Sequence, residues 1–369
     1  MQVIGGQALF FLVLIFVIGN TGLYALGVQL AKQDAWIALL LAMFSSYILL
    51  WIYVKLQNYY PEDNLAQIII KITGKWLGYS LILLYSAYFF YISLLNLSMY
   101  TEFIQVYLIQ GVAKSVISFL LIFNFTYLIF SGVEVIARVS ELITPFIIFA
   151  IVIVYILVFS SGAVDFKRLQ PVLSNGIQPI IEVTIPELII FPFGDLVLFL
   201  MFWKYVNDKK SIFKISFWGM TIAGLIITFA VIIILAVLGV NLAIRAYVPN
   251  MLVSQMIQIK WLANIDVIIV LIILLLGFYK MVPFFYGSVA IVATGFKFDN
   301  KVFISILYGL LLLIFSYAPF TGFPFHRWIN SFGPRIERFM EYMHVLFQMI
   351  IPTILLVVTW LKKSELFKK

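Results

Sequence analysis

Five residues, Phe191-Pro192-Phe193-Gly194-Asp195, stand inside the apolar run that begins near Ile185 and ends near Trp203. They place a ring, a glycine and a carboxylate where unbroken helix is expected. In hydrocarbon every backbone N–H and C=O needs a partner within the protein. A proline, a glycine and an acid at mid-depth are therefore tolerated only where protein or a water-filled cavity receives them. Gly19-Asn20-Thr21-Gly22 interrupts the first apolar run in the same way. A helix broken within the membrane has unpaired N–H groups on one half and unpaired carbonyls on the other. It can hold a carboxylate at the positive dipole end and an ammonium or cation at the negative end, chemistry that suits a free amino acid. Taken alone, Gly19 and Gly22 read equally well as small residues that let helices pack closely. Asp195 is harder to explain by packing, because a carboxylate in lipid costs about 2.5–3.5 kcal/mol even on lenient insertion scales.

The candidate ligand-binding residues are thus Gly19, Asn20, Thr21 and Gly22 from the first break, and Phe191, Phe193 and Gly194 from the second. Tyr88 and Tyr91 join them from a face of the third span that also carries Tyr85, Ile92 and Leu95 at helical spacing. Asp195 reads as a ligand for a cation or proton, as a residue that orients the break, or as the cap of the second half-helix. Lys280, well inside its span, either snorkels to the surface or presents a fixed ammonium to the breaks in place of a bound sodium ion. Glu187 and Asp266 fall near span ends, where carboxylates reach interfacial water. His326 and His344 are far apart and lack a metal-ligand pattern, so neither a metal site nor a cofactor is expected. No phosphate loop, nucleophile elbow or catalytic dyad is present, and enzymatic chemistry has no support.

The elements that position these residues are membrane spans. Of 369 residues 64% are hydrophobic and 11% charged, with a mean hydropathy of +1.11, far from soluble domains. The net charge of +8 comes from basic residues spread through short connections, where membrane orientation explains them and nucleic acid does not. There is no cysteine. The apolar start has no basic residue before Lys32 and reads as a retained first span, not a signal peptide. About ten spans of about 20 residues fill the chain as a single transmembrane domain, 1–369. Pro283 predicts a kink in the eighth span, and Glu134, Arg138 and Glu141 a local charge network. The connection 162–181, with Pro171, Gly176 and Pro179, reads as irregular surface structure joining two halves. More Lys and Arg fall in connections on the side of the termini than on the other, which places both termini in the cytoplasm. The two breaks lie about half the chain apart, as in two five-span repeats of inverted topology, here about 7–161 and 182–361.

Several stretches resemble the B-subunit family of bacterial spore nutrient-germinant receptors, a branch of the amino acid-polyamine-organocation transporter superfamily. The most specific are Lys32-Gln33-Asp34-Ala35-Trp36-Ile37, Tyr60-Pro61 with Gly74-Lys75-Trp76-Leu77-Gly78, and Ala137-Arg138-Val139-Ser140-Glu141. Leu169-Gln170-Pro171-Val172-Leu173 with Gly176-Ile177, and the Phe191 to Asp195 break, complete the set. The family break commonly ends in glutamate; here the acid is Asp195, on a shorter arm. The resemblance implies a 5+5 inverted-repeat fold with broken helices 1 and 6. It also implies a subunit in the inner spore membrane beside an A subunit and a lipoprotein C subunit. Such a subunit binds a small nutrient, an amino acid by superfamily chemistry, and triggers germination. The alternative is a proton- or cation-coupled amino-acid permease.

Overall fold

The computed structural model describes residues 3–256, 265–298, 300–316 and 334–366. Helix α1, Gly6–Ile18, is apolar all round, as a helix at the centre of a membrane bundle must be. It ends at Gly19 (φ 20°, ψ −112°) and passes through a tight 3-10 turn, Gly19–Leu23, to the extended Tyr24. After the short α2, Val28–Ala31, the chain returns as α3, Ala35–Tyr59. The surface helix α4, Leu65–Thr73, opens on a capping box in which Asn64 and Gln67 satisfy each other's backbone N–H. Helix α5, Lys75–Tyr107, has 33 residues, about 50 Å at 1.5 Å per residue, and so outruns a hydrocarbon layer of about 30 Å. The peripheral α6, Lys114–Ser131, and α7, Val133–Ser160, follow. At the head of α7 Arg138 pairs with Glu134 at 2.7 Å, and the Val3 N–H donates to the same carboxylate.

The second half begins with α8, Gln178–Val183, which runs into a widened helix, Thr184–Phe193, and then a tightened one, Gly194–Met201. The backbone leaves helical geometry twice here, at Ile185 (φ −117°, ψ 116°) and at Phe191 (φ −129°, ψ 120°). The second departure is the expected break; the first lies about 1.7 turns earlier, about 9 Å along a helix of 1.5 Å rise. Helix α9, Ile212–Arg245, contains a further break at Gly239 (φ 70°) that the sequence reading did not anticipate. The carbonyls released by that break are taken up from the 162–181 connection: Ala236 O accepts from the Asp165 N–H at 3.0 Å, and Val237 O from the Arg168 guanidinium. Then come α10, Pro249–Gln255; α11, Ile265–Gly295, a single helix that runs on through Pro283; α12, Lys301–Ser316; α13, Pro334–Val345; and α14, Ile351–Leu366. A π-helical turn, Leu346–Ile350, joins the last two.

Among the described residues nine helical segments are long and apolar enough to cross a membrane, with a shorter apolar helix at Val302–Ser316. The two broken segments, Gly6–Leu23 and Gln178–Met201, are mostly buried, whereas most of α6 and α7 faces outward. Helices α3, α7, α9 and α11 pack against the broken pair. The same face carries the N-terminal residues, the Glu62–Lys209 ion pair at 3.9 Å, and Lys363 over the Tyr59 ring at 4.6 Å. On the opposite face two sequence motifs meet. Asp34 accepts from the Leu173 N–H at 3.1 Å, and Gln33 donates to Pro171 O at 2.9 Å and to Ser174 Oγ at 2.7 Å.

Candidate functional site

Between the breaks lies a cavity of about 270 Å³, lined by residues of both broken segments, α5 and α11, and by His344 of α13. Its floor is an ion pair. Lys280 Nζ lies 2.7 Å from Asp195 Oδ2, with the two side chains 1% and 4% exposed. The ammonium also donates to Phe16 O at 3.3 Å, a carbonyl in the last turn of α1. Phe16, Phe191 and Phe284 turn their rings toward it at 4.2, 5.4 and 5.9 Å from their centroids, which stabilises a desolvated cation. Lys280 therefore does not snorkel; it stays in the bundle and ties α11 to both broken segments. The approach needs Gly19, because a β-carbon there would sit 2.8 Å from Lys280 Cδ.

Asp195 Oδ1 accepts from Gln348 Nε2 at 2.8 Å, and the other hydrogen of that amide reaches the Tyr88 oxygen, also at 2.8 Å. Tyr88 thus keeps its own hydrogen for His344 Nδ1, 2.8 Å away. This order of donors places the imidazole proton on Nε2. Gln348 lies in the π-helical turn before α14, and its carbonyl accepts from the Tyr53 hydroxyl at 2.6 Å. Its Oε1 lies directly over Gly194, where any β-carbon would collide with it. Gly194 is thus the ledge on which Gln348 rests.

The predicted residues divide accordingly. Asn20, Phe191, Asp195 and Lys280 line the cavity, with Tyr24, Leu26, Ile92, Leu95, Asn96 and Met99 around them. Asn20 donates to Asn96 across the gap between the first break and α5. Thr21 and Gly22 instead face a separate apolar cavity of about 70 Å³ between the first break, α7, α9 and α11. Tyr88 stands one layer behind the wall, stacked on Phe347 at 4.6 Å, and the Tyr91 ring lies 6.5 Å from that of His344. Phe193 is buried against α9 beside Gly224. His326 lies outside the described residues. Asn96 and Gln348 were not singled out from sequence, whereas Glu187 was read as a carboxylate at the interface and His344 only as a histidine without a metal-ligand pattern; here both line the cavity. The signal available for Asn96 and Gln348 was a polar side chain inside an apolar run; for Glu187 it was the four-residue spacing from Phe191, one helical turn before the break.

Among the described residues the cavity adjoins a wider space on one side. Tyr24, Leu26 and Glu187 also border a second space of about 330 Å³ that reaches the face opposite the termini, past Tyr247 and Pro249. On the terminal side Phe199, Phe202 and Trp203 are buried beneath the floor. The chain is fastened there by a single bridge, Ile4 N to Tyr205 O at 2.8 Å and Asn207 N to Ile4 O at 3.1 Å.

Residues 4–321 match a family model described as spore germination protein. Spore germination protein KB of Bacillus subtilis (strain 168) is 31% identical over 361 residues, 97% of this chain and 95% of that protein. GerQB of Bacillus cereus is 23% identical over 257 residues, 69% of each. Among solved structures, Mhp1, a nucleobase-cation-symport-1 family transporter in a closed conformation with bromovinylhydantoin bound, aligns at a TM-score of 0.62. The identity is 13%, over 95% of this chain and 79% of Mhp1. That likeness is one of fold.

Proposed function

The chain belongs to the spore germination protein family, and from that premise we propose that it is the membrane-embedded B subunit of a germinant receptor. In this reading it binds a small nutrient in the cavity between its helix breaks and triggers germination through A and C subunits in the inner spore membrane. Both termini then lie in the cytoplasm, and the two halves form five-span repeats of inverted topology. One observation carries the reading: the cavity's floor joins α1, the second broken segment, α11 and the last span through one chain of contacts, Phe16 O–Lys280–Asp195–Gln348. A ligand seated on such a floor bears on every element that a rocking or gating change would move, and a differential affinity for two arrangements is all that signalling requires. Lys280 takes the place a coupling sodium ion would occupy, so the response needs no sodium.

Spores in which Asn96→Trp fills the cavity are expected to lose nutrient-triggered germination while germinating normally by a route that bypasses the receptors. An unchanged nutrient dose response at normal protein level overturns the reading. Accumulation of labelled nutrient in vesicles holding the chain alone would favour the amino-acid permease instead.

A further inference from the structure

The charge balance of the cavity is uneven from floor to mouth. At the floor Lys280 and Asp195 compensate each other at 2.7 Å, and the remaining Asp195 oxygen is held by Gln348. At the neck stands Glu187, which borders both the inner cavity and the outer space, is exposed to them, and makes no ion pair or hydrogen bond with any described residue. Beside it the rings of Tyr24 and Phe191 meet edge to face at 6.2 Å, and both line the cavity. A carboxylate without a partner, next to aromatic rings and at the only described opening of a cavity whose other charges cancel, is a receptor for an ammonium group.

We infer that Glu187 is the counter-ion of the nutrient's ammonium group and that the cavity takes primary amines, cationic or zwitterionic. This rests on the cavity being the nutrient site. A neutral polyol would leave the Glu187 charge unpaired inside the mouth, and an anion would meet that carboxylate there. At the floor Lys280 and Asp195 both line the cavity, so a zwitterion that enters with its carboxylate inward meets an ion pair whose ammonium can share that carboxylate, with Glu187 above its own ammonium.

The experiment is a thermal-shift and calorimetric titration of the purified full chain with single amino acids, each beside its α-hydroxy acid, which keeps the carboxylate and replaces the ammonium by a hydroxyl. Unmodified protein, Glu187→Gln, Glu187→Asp and the cavity-filling Leu95→Trp are compared, with unliganded melting temperatures as the folding control. At least one amino acid is expected to bind while its hydroxy acid does not. Glu187→Gln should raise its Kd about tenfold or more, as loss of one partner of a desolvated charge pair does; Glu187→Asp should retain most of the affinity, and Leu95→Trp should abolish binding. Equal binding of both members of a pair, unaffected by Glu187→Gln but lost in Leu95→Trp, overturns the ammonium assignment and leaves the cavity reading standing. Binding that survives Leu95→Trp, or no binding by any compound, removes the cavity reading and this inference with it.

Discussion

Lys280 and Asp195 carry opposite charges in the driest part of the chain, and neither is tolerable there without the other. Removing one partner of a buried pair leaves the other charge uncompensated and costs about 3–5 kcal/mol, whereas replacing both by apolar groups of similar volume is often neutral. Lys280→Met is therefore expected to lower the melting temperature of the purified protein sharply, and Lys280→Met with Asp195→Leu to recover much of the loss. An additive double variant would show that the two side chains do not act as a pair. The ledge under Gln348 is a second test. Gly194→Ala should destabilise by about 1–3 kcal/mol through overpacking, and Gln348→Ala should relieve that cost, so the cycle is predicted to be non-additive. The two charges were legible in sequence because a charge within an apolar run is costly wherever it points. Gln348 and Asn96 were not, because an amide in a membrane helix is defined by its partner, and here the partners stand on other helices far along the chain.

At the scale of elements, both expected breaks are present, at Gly19 and at Phe191, since proline and glycine act on the backbone locally. The departure at Ile185 precedes Pro186 as that at Phe191 precedes Pro192, a local signal the sequence reading passed over, whereas the break at Gly239 escaped because what sustains it is remote. Gly239 is held open because Asp165 and Arg168 satisfy the carbonyls that α9 gives up. Arg168→Ala should leave Val237 O without its donor, at a cost of about 1–3 kcal/mol. Hydrogen exchange should rise in α9 around residue 237 and stay unchanged in α5, and uniform protection across α9 would sink this account. The 162–181 connection was expected to be irregular surface structure. It is also a strap, fixed at one end to the α9 break and at the other to Asp34 and Gln33.

For the molecule as a whole, hydropathy alone sufficed to read a polytopic helical bundle, and the motifs at Lys32 to Ile37 and Leu169 to Leu173 sufficed to read the family. That these two stretches touch could not be read from either, because Asp34 and Gln33 reach mainly the backbone of the second stretch, groups that any residue carries. Among the described residues the cavity adjoins a space on the face away from the termini, and toward the termini Phe199, Phe202 and Trp203 lie buried beneath the ion pair. The indole of Trp203 is fully buried, and its N–H has no acceptor among the described residues. It is thus a dry chromophore placed at the seal. With the other tryptophans replaced by phenylalanine, its emission should be blue in the resting protein. A cycle that admits water from the terminal side must shift that emission red when nutrient is added, and a subunit that only relays strain sideways to its neighbours must leave the colour unchanged. The seal therefore lets light distinguish a carrier from a sensor.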